Sequence, residues 1–254
     1  MHKVVKVMLK KERQDYILRQ INLHNKVLSA DLCEELNVSE DTIRRDLNEL
    51  SDLGQILKVH GGALSKSFYD DNQSDDVYAY QEKVKIAEKT LKLFKNGMFV
   101  LTGGGTTIRE ILKRLPEDLQ ITFITVSLSA ATEILNHPNC EIIFIGGKIS
   151  RNTRFSTGGE TISRLSEIKA DLCLMGTNAI DAVAGVTDSD YESVQVKKAM
   201  MQAAEKVAIV TIAEKLGSAQ RLRICKTHEL DYLITELDPE DPQLAQYQKI
   251  VNLI

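Results

Sequence analysis

Two stretches of this 254-residue chain combine residue types that bind phosphate groups. In the first, the adjacent arginines Arg44 and Arg45 follow two hydroxyl side chains, Ser39 and Thr42. In the second, residues 101–107, three consecutive glycines are followed by two threonines. Guanidinium groups, hydroxyls and backbone N–H groups are the donors that proteins use for phosphates. We therefore take the first stretch as a candidate for nucleic-acid phosphates and bases, and the second as a candidate for a small anion.

The arginines lie in a segment whose spacing is typical of a helix-turn-helix motif. Ser39 can cap a helix over residues 40–53, and Ser29 can cap the helix before it. The two helices would touch at the small side chain of Cys33, after a turn at Asn37, which tolerates the left-handed conformation. A further helix is predicted over residues 14–23. The apolar side chains expected to pack these helices together are Ile17, Ile21, Leu32, Leu36, Val38, Ile43, Leu47 and Leu50.

The opposite face of the helix over residues 40–53 carries the candidate DNA contacts. In a helix-turn-helix, the early exposed residues of the second helix reach base edges in the major groove. Arginine suits guanine there, and hydroxyl groups suit phosphate. After a helix stop at Gly54, residues 55–64 predict a β-hairpin around a Gly61-Gly62 turn, which would form a wing. The predicted DNA-binding residues are Ser39, Asp41, Thr42, Arg44, Arg45, Asn48, Lys58 and His60.

A simpler explanation of Arg44 and Arg45 is that they solvate an exposed helix face and pair with nearby carboxylates. For two isolated arginines, that explanation is the ordinary one. Here the capped helices, the turn residue, the core spacing and the wing occur together, so the pattern favours DNA binding. Basic residues also concentrate at the amino terminus, where we expect them to lie along DNA, and these are Lys3, Lys6, Lys10, Lys11 and Arg13.

The glycine stretch would connect a strand to a helix that begins near Thr107. Glycines let a backbone approach an anion, and N–H groups at a helix start favour negative charge. A tight strand–helix turn without any ligand explains the same residues equally well. The spacing is not Gly-x-Gly-x-x-Gly, and no Walker loop is present, since Gly147-Lys148 is followed by Ile149. Nucleotide hydrolysis is therefore disfavoured.

Composition limits the class of protein. Hydrophobic residues make up 43% and charged residues 27%, with 14 Gly and 4 Pro, which excludes collagen-like and largely disordered chains. No stretch approaches about 18 apolar residues, and lysines interrupt the first apolar segment. We therefore expect no membrane span, no signal peptide and a cytoplasmic protein. The 4 Cys are widely spaced without a Cys-x-x-Cys pair, so neither a zinc site nor a disulfide framework is expected.

The remaining pattern predicts a small helical domain followed by an α/β domain. The polar, acidic segment 67–76 has little to bury and predicts a linker between domains 1–66 and 77–254. In the second domain, apolar and amphipathic segments alternate. The predicted strands are 98–102, 121–126, 141–145, 172–175, 207–211 and 232–235, and the predicted helices are 106–115, 129–137, 161–168 and 191–204. This alternation is typical of a mostly parallel, Rossmann-like sheet covered by helices.

Three motifs resemble the DeoR family of bacterial transcription regulators. They are Arg13, Ile17 and Ile21 at four-residue steps, the run Ser39-x-x-Thr42-Ile43-Arg44-Arg45-Asp46-Leu47, and the run Val59-His60-Gly61-Gly62-Ala63. The resemblance implies a winged helix-turn-helix joined to an effector domain similar to ribose-5-phosphate isomerase. It also implies a regulator, usually a repressor, of a sugar-metabolism operon.

The resemblance continues through the second domain. Residues 103–107 are similar to the family's Gly-Thr-Thr phosphate loop, although Gly103 stands where many members have Asp. Thr125-Val126-Ser127 resembles a Thr-Asn-Ser strand end, with Val126 in place of Asn. The two departures imply a sugar preference that differs from the better-known members. The candidate effector-binding residues are Gly103, Gly104, Gly105, Thr106, Thr107, Ser127, Lys148, Arg154, Asp181 and Lys197. Lys197 is equally well explained as a solvated helix charge.

These features predict a repressor that binds double-stranded operator DNA and is relieved by a phosphorylated sugar. The alternative is a sugar-phosphate isomerase that carries a DNA-binding domain. Isomerisation needs a positioned general base, but the isomerase pattern Asp-Gly-Ala-Asp-Glu is reduced here to Asn178-Ala179-Ile180-Asp181. We therefore expect no enzyme, no cofactor and no metal. An activator would carry the same motifs. Because one winged helix buries little DNA surface, we expect a homodimer or homotetramer.

Overall fold

The computed structural model describes residues 8–66, 77–151 and 153–254. The predicted linker 67–76 and the basic residues Lys3 and Lys6 lie outside the described residues. The chain divides into two compact units between Tyr78 and Ala79. The bounds of the two predicted domains stay a prediction.

The first unit contains the predicted helices and wing. Its described elements are α1 (Lys10–His24), β1 (Lys26–Leu28), α2 (Ser29–Leu36), α3 (Glu40–Asp52), β2 (Ile56–Val59) and β3 (Gly62–Ser65). Strand β3 pairs antiparallel with both β1 and β2. The core is formed by the side chains that the helical spacing predicted, since residues three or four apart share one helix face. Its fully buried members include Ile17, Ile21, Leu32, Ile43, Leu47 and Leu50.

The ends of α2 and α3 follow the predicted local chemistry. Ser39 Oγ accepts a hydrogen bond from the backbone N–H of Thr42 at 3.3 Å, so Ser39 caps α3 as predicted. Asn37 adopts the left-handed conformation, with φ +50°, and ends α2. Gly54 has φ +69° just after α3. The turn and the helix stop are therefore confirmed.

The predicted cap at Ser29 is wrong. Helix α2 begins at Ser29 itself, and the cap position is Leu28, whose side chain makes no capping hydrogen bond. The reason is strand β1, which the sequence did not predict because it has only three residues. The chain passes directly from β1 into α2, and the backbone N–H of Ser29 donates to the carbonyl oxygen of Gly61 at 2.8 Å. Gly62 is required in β3, since a Cβ there would overlap the carbonyl oxygen of Val27.

The second unit contains the α/β domain. Its described helices are α4 (Tyr80–Leu91), α5 (Thr106–Leu112), α6 (Leu128–Ile134), α7 (Gly159–Ser166) and α8 (Tyr191–Gln202). Its described strands are β4 (Phe99–Thr102), β5 (Thr122–Thr125), β6 (Glu141–Phe144), β7 (Lys148–Ile149), β8 (Ser156–Thr157), β9 (Ala170–Gly176), β10 (Ala179–Asp181), β11 (Gly185–Asp188), β12 (Ala204–Val210), β13 (Leu222–Cys225), β14 (Tyr232–Ile234) and β15 (Asn252–Leu253). Across the described ranges, no helix has the length and apolar character needed to cross a membrane.

Seven of the described strands form a parallel sheet in the order β15-β14-β12-β9-β4-β5-β6. From β4 the chain proceeds through β5 to β6 on one side, whereas β9, β12, β14 and β15 follow on the other side. The carboxyl ends of β4 and β9 therefore lie side by side where the strand order reverses, and we call this place the switch point. Open parallel sheets bind ligands in the crevice at such a point.

The predicted α/β class and its mostly parallel sheet are confirmed. Each of the six predicted strands is present, with bounds that differ by at most three residues. A second, antiparallel sheet of β10, β11 and β13 was not predicted. Strand β11 shows the reason, because its polar residues Thr187 and Asp188 are buried, and periodicity of apolar residues does not mark such a strand.

Candidate nucleic-acid interface and effector site

Helix α3 presents a polar face to solvent opposite its buried face. Ile43 and Leu47 are buried in the core, whereas Arg44, Arg45 and Asn48 are exposed. Asp41 and Ser39 are also exposed, and Thr42 is half-buried. All six predicted α3 candidates are therefore on or beside one accessible helix face, as the spacing predicted.

Local hydrogen bonds hold the start of this face. The hydroxyl groups of Ser39 and Thr42 lie 2.9 Å apart, and Asp41 Oδ1 accepts from Arg44 Nη2 at 2.9 Å. That ion pair is exposed, so water screens it and it contributes little to stability. Arg45 is exposed, and no ion pair joins it to another of the described residues.

The wing adds two more exposed candidates. Lys58 on β2 donates from Nζ to Asn48 Oδ1 on α3, so the wing and the helix are joined at their polar surfaces. His60 is exposed in the turn between β2 and β3, where Gly61 has φ +76°. The wing is therefore positioned beside the exposed face of α3.

Arg13 does not belong to this surface, which corrects the expectation that it lies along DNA. Its Nε donates to Asp46 Oδ2 at 2.5 Å and its Nη2 donates to Asp46 Oδ1 at 3.2 Å. Asp46 is 1% exposed. The hydrogen bond and the charge of Asp46 together raise the pKa of Arg13 against the opposing effect of burial. Arg13 thus joins α1 to the inner side of α3.

The glycine loop of the second unit lies at the switch point. The backbone N–H of Gly103 donates to the carbonyl oxygen of Leu174 in β9 at 3.0 Å. A Cβ on Gly104 would overlap Ser127 Oγ, so packing alone already requires glycine there. Gly105 has φ +109°, which L side chains rarely adopt. Thr106 begins α5 directly after the loop.

The structure places Ser127 against this loop and the backbone of Arg154 beside Leu128, the first residue of α6. Ser127 is buried, caps α6 by accepting from the backbone N–H of Ala130 at 3.3 Å, and packs on Gly104. The carbonyl oxygen of Arg154 accepts from the backbone N–H of Leu128 at 3.1 Å. The predicted candidates Gly104 and Ser127 are therefore neighbours at the carboxyl ends of β4 and β5, and Arg154 lies beside the residue that follows Ser127.

Lys197 is a buried ion-pair member and not a solvated helix charge. Its Nζ donates to Asp188 Oδ2 at 2.7 Å, and both side chains are largely enclosed. The other oxygen of Asp188 accepts from Asn178 Nδ2 at 3.0 Å and from the backbone N–H of Ser189 at 2.7 Å. Burial raises the pKa of Asp188, but Lys197 and the backbone N–H groups of Asp190 and Ser189 lower it more, so the net shift is downward.

Two other predicted candidates have local partners. Lys148 Nζ donates to Glu192 Oε1 at 3.0 Å in an exposed ion pair. Asp181 Oδ1 accepts from the backbone N–H groups of Val183 and Ala184 at 2.9 and 2.8 Å. Asp181 therefore shapes the turn between β10 and β11.

Two buried lysines of the second unit were not among the predicted site residues. Lys215 follows β12 in a short 3-10 turn, and its Nζ donates to the carbonyl oxygen of Thr177 after β9 at 2.9 Å. Burial and nearby cations lower the pKa of Lys215 to about 7. Burial also lowers the pKa of Lys83, on α4, to about 8. The signal for Lys215 was its place just after a predicted strand, where parallel sheets position ligand-binding groups.

Family models match both units of the chain. A model described as "DeoR-like helix-turn-helix domain" matches residues 13–68, and one described as "DeoR C terminal sensor domain" matches residues 78–237. Together the two matches span most of the chain, and the second alone covers more than half of it.

Curated relatives match along nearly the whole length. The HTH-type transcriptional repressor GlcR of Bacillus subtilis is 32% identical, over 91% of this chain and 90% of its own. The glycerol-3-phosphate regulon repressor of Haemophilus influenzae is 29% identical, over 90% of each chain. Among solved structures, ribose 5-phosphate isomerase A from Methanocaldococcus jannaschii is similar with a TM-score of 0.39 and 20% identity over 53% of each chain. On the family models and the curated relatives, the chain belongs to the DeoR family of transcriptional regulators.

Proposed function

We propose that this chain is a repressor of a sugar-metabolism operon, relieved when a phosphorylated sugar binds in domain 77–254. The observation that carries this proposal is that one chain has both an exposed arginine face on α3 and a parallel sheet with a switch point, the place where such sheets bind ligands. The relatives support it, since one is named a glycerol-3-phosphate regulon repressor. Domain 1–66 binds DNA, and residues 67–76 connect it to the second domain. The protein acts in the cytoplasm.

The proposed DNA contacts divide by chemistry. Arg45 and Arg44 contact base edges in the major groove, because guanidinium groups pair with guanine through two hydrogen bonds. Asp41 orients Arg44 through their 2.9 Å ion pair. The remaining candidates contact phosphate oxygens or neighbouring base edges, and they are Ser39, Thr42, Asn48, Lys58 and His60.

The proposed effector site is centred on the switch point. Gly103, Gly104 and Gly105 form its floor, and the hydroxyls of Thr106 and Thr107 stand at the start of α5. Ser127 packs on the loop, and Arg154 follows beside the start of α6. Lys197 supplies a buried positive charge. Lys148 and Asp181, which have local partners, are at most peripheral to this site.

The proposed site is a sensor and not an enzyme. Proton transfer between carbons requires a carboxylate or another base that is available to the substrate. Asp188 is already held by Lys197, Asn178 and backbone N–H groups, and Asp181 is held by its turn. These contacts leave neither carboxylate available as a base, which supports ligand binding without turnover.

We also propose a homodimer or homotetramer assembled through the second domain. Among the described strands, β6 ends the parallel sheet, and its Ile143 and Phe144 are 45% and 36% exposed. Ile149 on β7 is similarly exposed. A sheet edge with apolar side chains is a surface that proteins ordinarily cover. Sedimentation of the protein with operator DNA checks this, and a monomer at micromolar concentration would contradict it.

The main test measures DNA release. Operator fragments selected in vitro are labelled, and their fluorescence anisotropy is followed as phosphorylated and unphosphorylated sugars are added. One phosphorylated sugar should release the DNA and should also raise the melting temperature of the protein. The variant Thr106→Ala, which keeps the buried pair of Lys197 and Asp188 intact, should bind DNA normally and lose part of the response. Silence across the whole panel in the natural protein would contradict the proposed effector class.

A further inference from the structure

The wing and helix α3 meet through a side-chain contact between Lys58 and Asn48. Lys58 on β2 donates from Nζ to Oδ1 of Asn48, which lies ten positions earlier in the chain. Both side chains are exposed. Both are also attached to regular elements, because Lys58 is paired with Ala63 in the sheet and Asn48 is in the third turn of α3. The fold of the domain therefore sets the position of the two side chains relative to each other.

The chemistry of lysine determines the orientation of the Asn48 amide. An ammonium group has three N–H donors and no acceptor, so it can bond the oxygen of an amide but never its nitrogen. The Nδ2 group of Asn48, with two N–H donors, has no acceptor among the described residues. Lys58 uses one donor on Asn48 and keeps two. Two adjacent side chains thus present N–H donors together at the surface of the domain.

This arrangement disfavours the base that asparagine ordinarily reads. Asparagine recognises adenine by donating to N7 and by accepting from the N6 amino group. Here the accepting oxygen of Asn48 already has the positive charge of Lys58 beside it. The amino group of adenine would have to approach that oxygen next to an ammonium group, and charges of the same sign repel. Asn48 is consequently suited to an acceptor, above all to an anionic one.

The position of Asn48 along α3 indicates which acceptor that is. Arg44 and Arg45 precede it by four and three residues, so Asn48 lies on the same side of the helix, one turn further on. In a helix-turn-helix, the early residues of this helix reach base edges. One turn further, about 5 Å along the axis, Asn48 is joined to the wing. The anionic acceptors that DNA offers on either side of its grooves are phosphate oxygens.

We propose that Lys58 and Asn48 bind one DNA phosphate as a single unit, and that Asn48 makes no base contact. This rests on the DNA contacts proposed above and assigns Asn48 to one of the two roles left open there. Lys58 supplies the charge and orients the amide of Asn48, whose Nδ2 donates to the phosphate. Asn48 in turn restrains the long side chain of Lys58, which lowers the entropy lost when the ammonium group contacts DNA. Each residue therefore depends on the other.

Selection of DNA sequences tests whether Asn48 contacts a base. Duplexes with a randomised segment are selected with the full natural chain, with Asn48→Ala and with Arg45→Ala. Asn48→Ala should recover the same base preferences as the natural protein. Arg45→Ala is the positive control and should lose the preference at one position. Loss of a preference in Asn48→Ala at any position, for adenine or for another base, would overturn the phosphate assignment.

A double-mutant cycle tests the coupling between the two residues. Fluorescence anisotropy measures affinity for a non-operator duplex at several salt concentrations, with Asn48→Ala, Lys58→Met and the double variant. Asn48→Ala should weaken binding about two- to tenfold, as for one lost hydrogen bond, and the double variant should be hardly weaker than Lys58→Met. The slope of log affinity against log salt should fall by about 1 in Lys58→Met and stay unchanged in Asn48→Ala, whose amide is neutral. Losses that simply multiply would show two independent contacts and no unit.

Two further variants serve as matched controls. Arg45→Ala with Lys58→Met is a pair that two cationic side chains cannot couple by a hydrogen bond, so its two losses should multiply. Asn48→Asp keeps the shape of the side chain but replaces the Nδ2 donors by a charged oxygen, so it should bind every DNA sequence more weakly than Asn48→Ala does. Circular dichroism confirms that each variant is folded. Equal affinities of Asn48→Asp and Asn48→Ala would contradict a phosphate beside this position.

These measurements need no sugar phosphate, so they separate the inference from the proposed function. If the natural protein selects no preferred sequence, the operator-binding role is wrong, and the cycle on the non-operator duplex still decides whether the unit exists. If the natural protein selects an operator but the losses in Asn48→Ala and Lys58→Met multiply, the repressor function stands and the unit is wrong.

Discussion

The two domains differ in how their candidate residues come together. In the DNA-binding domain, six candidates lie within ten positions of one helix, and the hairpin that directly follows supplies the other two. In the second domain, the groups near the switch point come from β4, β9, α8 and the turn after β12, which are far apart in the chain. Helical spacing alone is therefore enough to define the first surface, whereas the second requires the order of strands in the sheet.

The same contrast separates two arginines within the first domain. Arg13 and Arg45 are both part of the family motif, but Arg13 is largely buried against Asp46 and Arg45 is exposed. A basic residue near the DNA-binding helix thus has either a packing role or a contact role. Which one applies depends on the carboxylate that the fold places beside it.

The largest expected effect is that of Arg13→Ala. This change leaves the buried carboxylate of Asp46 without its cation, which should lower the free energy of unfolding of the first domain by about 3–5 kcal/mol. Operator binding should be lost with the fold. Urea denaturation followed by circular dichroism measures the change. Lys10→Ala, at the exposed ion pair with Glu49, is the control and should cost less than about 1 kcal/mol. Equal effects of the two variants would contradict the packing role.

Arg45→Ala should leave stability unchanged and reduce specific operator affinity by about 1–3 kcal/mol, because a bidentate guanine contact is lost. Fluorescence anisotropy with operator and with unrelated DNA measures the specific and non-specific parts. Non-specific affinity should change much less. An operator affinity within twofold of the natural protein would remove Arg45 from the base contacts.

The stability of the second domain should rise with pH in two separate pH ranges, one set by Asp188 and one by Lys215. The pKa of Asp188 is lowered in the folded state, so the stability it contributes is present above its unfolded pKa of about 3.9 and is lost as the pH falls through the lower folded value. The pKa of Lys215 is lowered to about 7. Between pH 7 and the unfolded lysine value of about 10.4, the unfolded chain binds more protons, so stability should rise with pH.

Calorimetry in buffers without sulfate or phosphate checks the range set by Lys215. The melting temperature of the second domain should rise from pH 7 to pH 9. In Lys215→Met that rise should be smaller, while Lys198→Met, at an exposed position, should behave like the natural protein. An identical pH profile in Lys215→Met would show that the amine stays protonated in the fold.

The smallest expected effect is that of Lys58→Ala on the wing. If Lys58 neutralises one phosphate, its removal should weaken binding to all DNA sequences by a similar, few-fold factor. The slope of log affinity against log salt concentration should then decrease by about 1. A loss confined to the operator sequence would instead indicate a base contact.

Local sequence signals predicted the elements well where they acted over a few residues. Ser39 caps α3, Asn37 adopts the left-handed turn, and Gly54 follows the helix end as expected. The cap at Ser29 failed because β1 pairs with β3 across more than thirty residues and takes over the start of α2. Pairing at that distance leaves no signal in three residues of sequence.

In the candidate effector site, whether a residue could be predicted depended on whether its contacts lie within its own segment or with distant parts of the chain. The glycine loop was a candidate because it follows a predicted strand, and Ser127 because Thr125-Val126-Ser127 resembles the family's strand end. Asp181 belongs to a segment that occurs in the same order as in the family, but its carboxylate accepts hydrogen bonds from its own turn. Lys83 was not predicted, since nothing in the pattern of α4 distinguishes it from exposed Lys85 two residues later.

The sequence by itself determined the fold class and the face of α3 that carries Arg44 and Arg45, because both follow from the spacing of apolar residues in continuous segments. Tertiary structure alone decided that Arg13 is buried against Asp46, that Lys197 pairs with Asp188, and that Lys215 approaches Thr177. The physical reason is that charge and burial act over a few ångströms of space. In a parallel sheet, residues at that distance are separated by whole strands and helices along the chain.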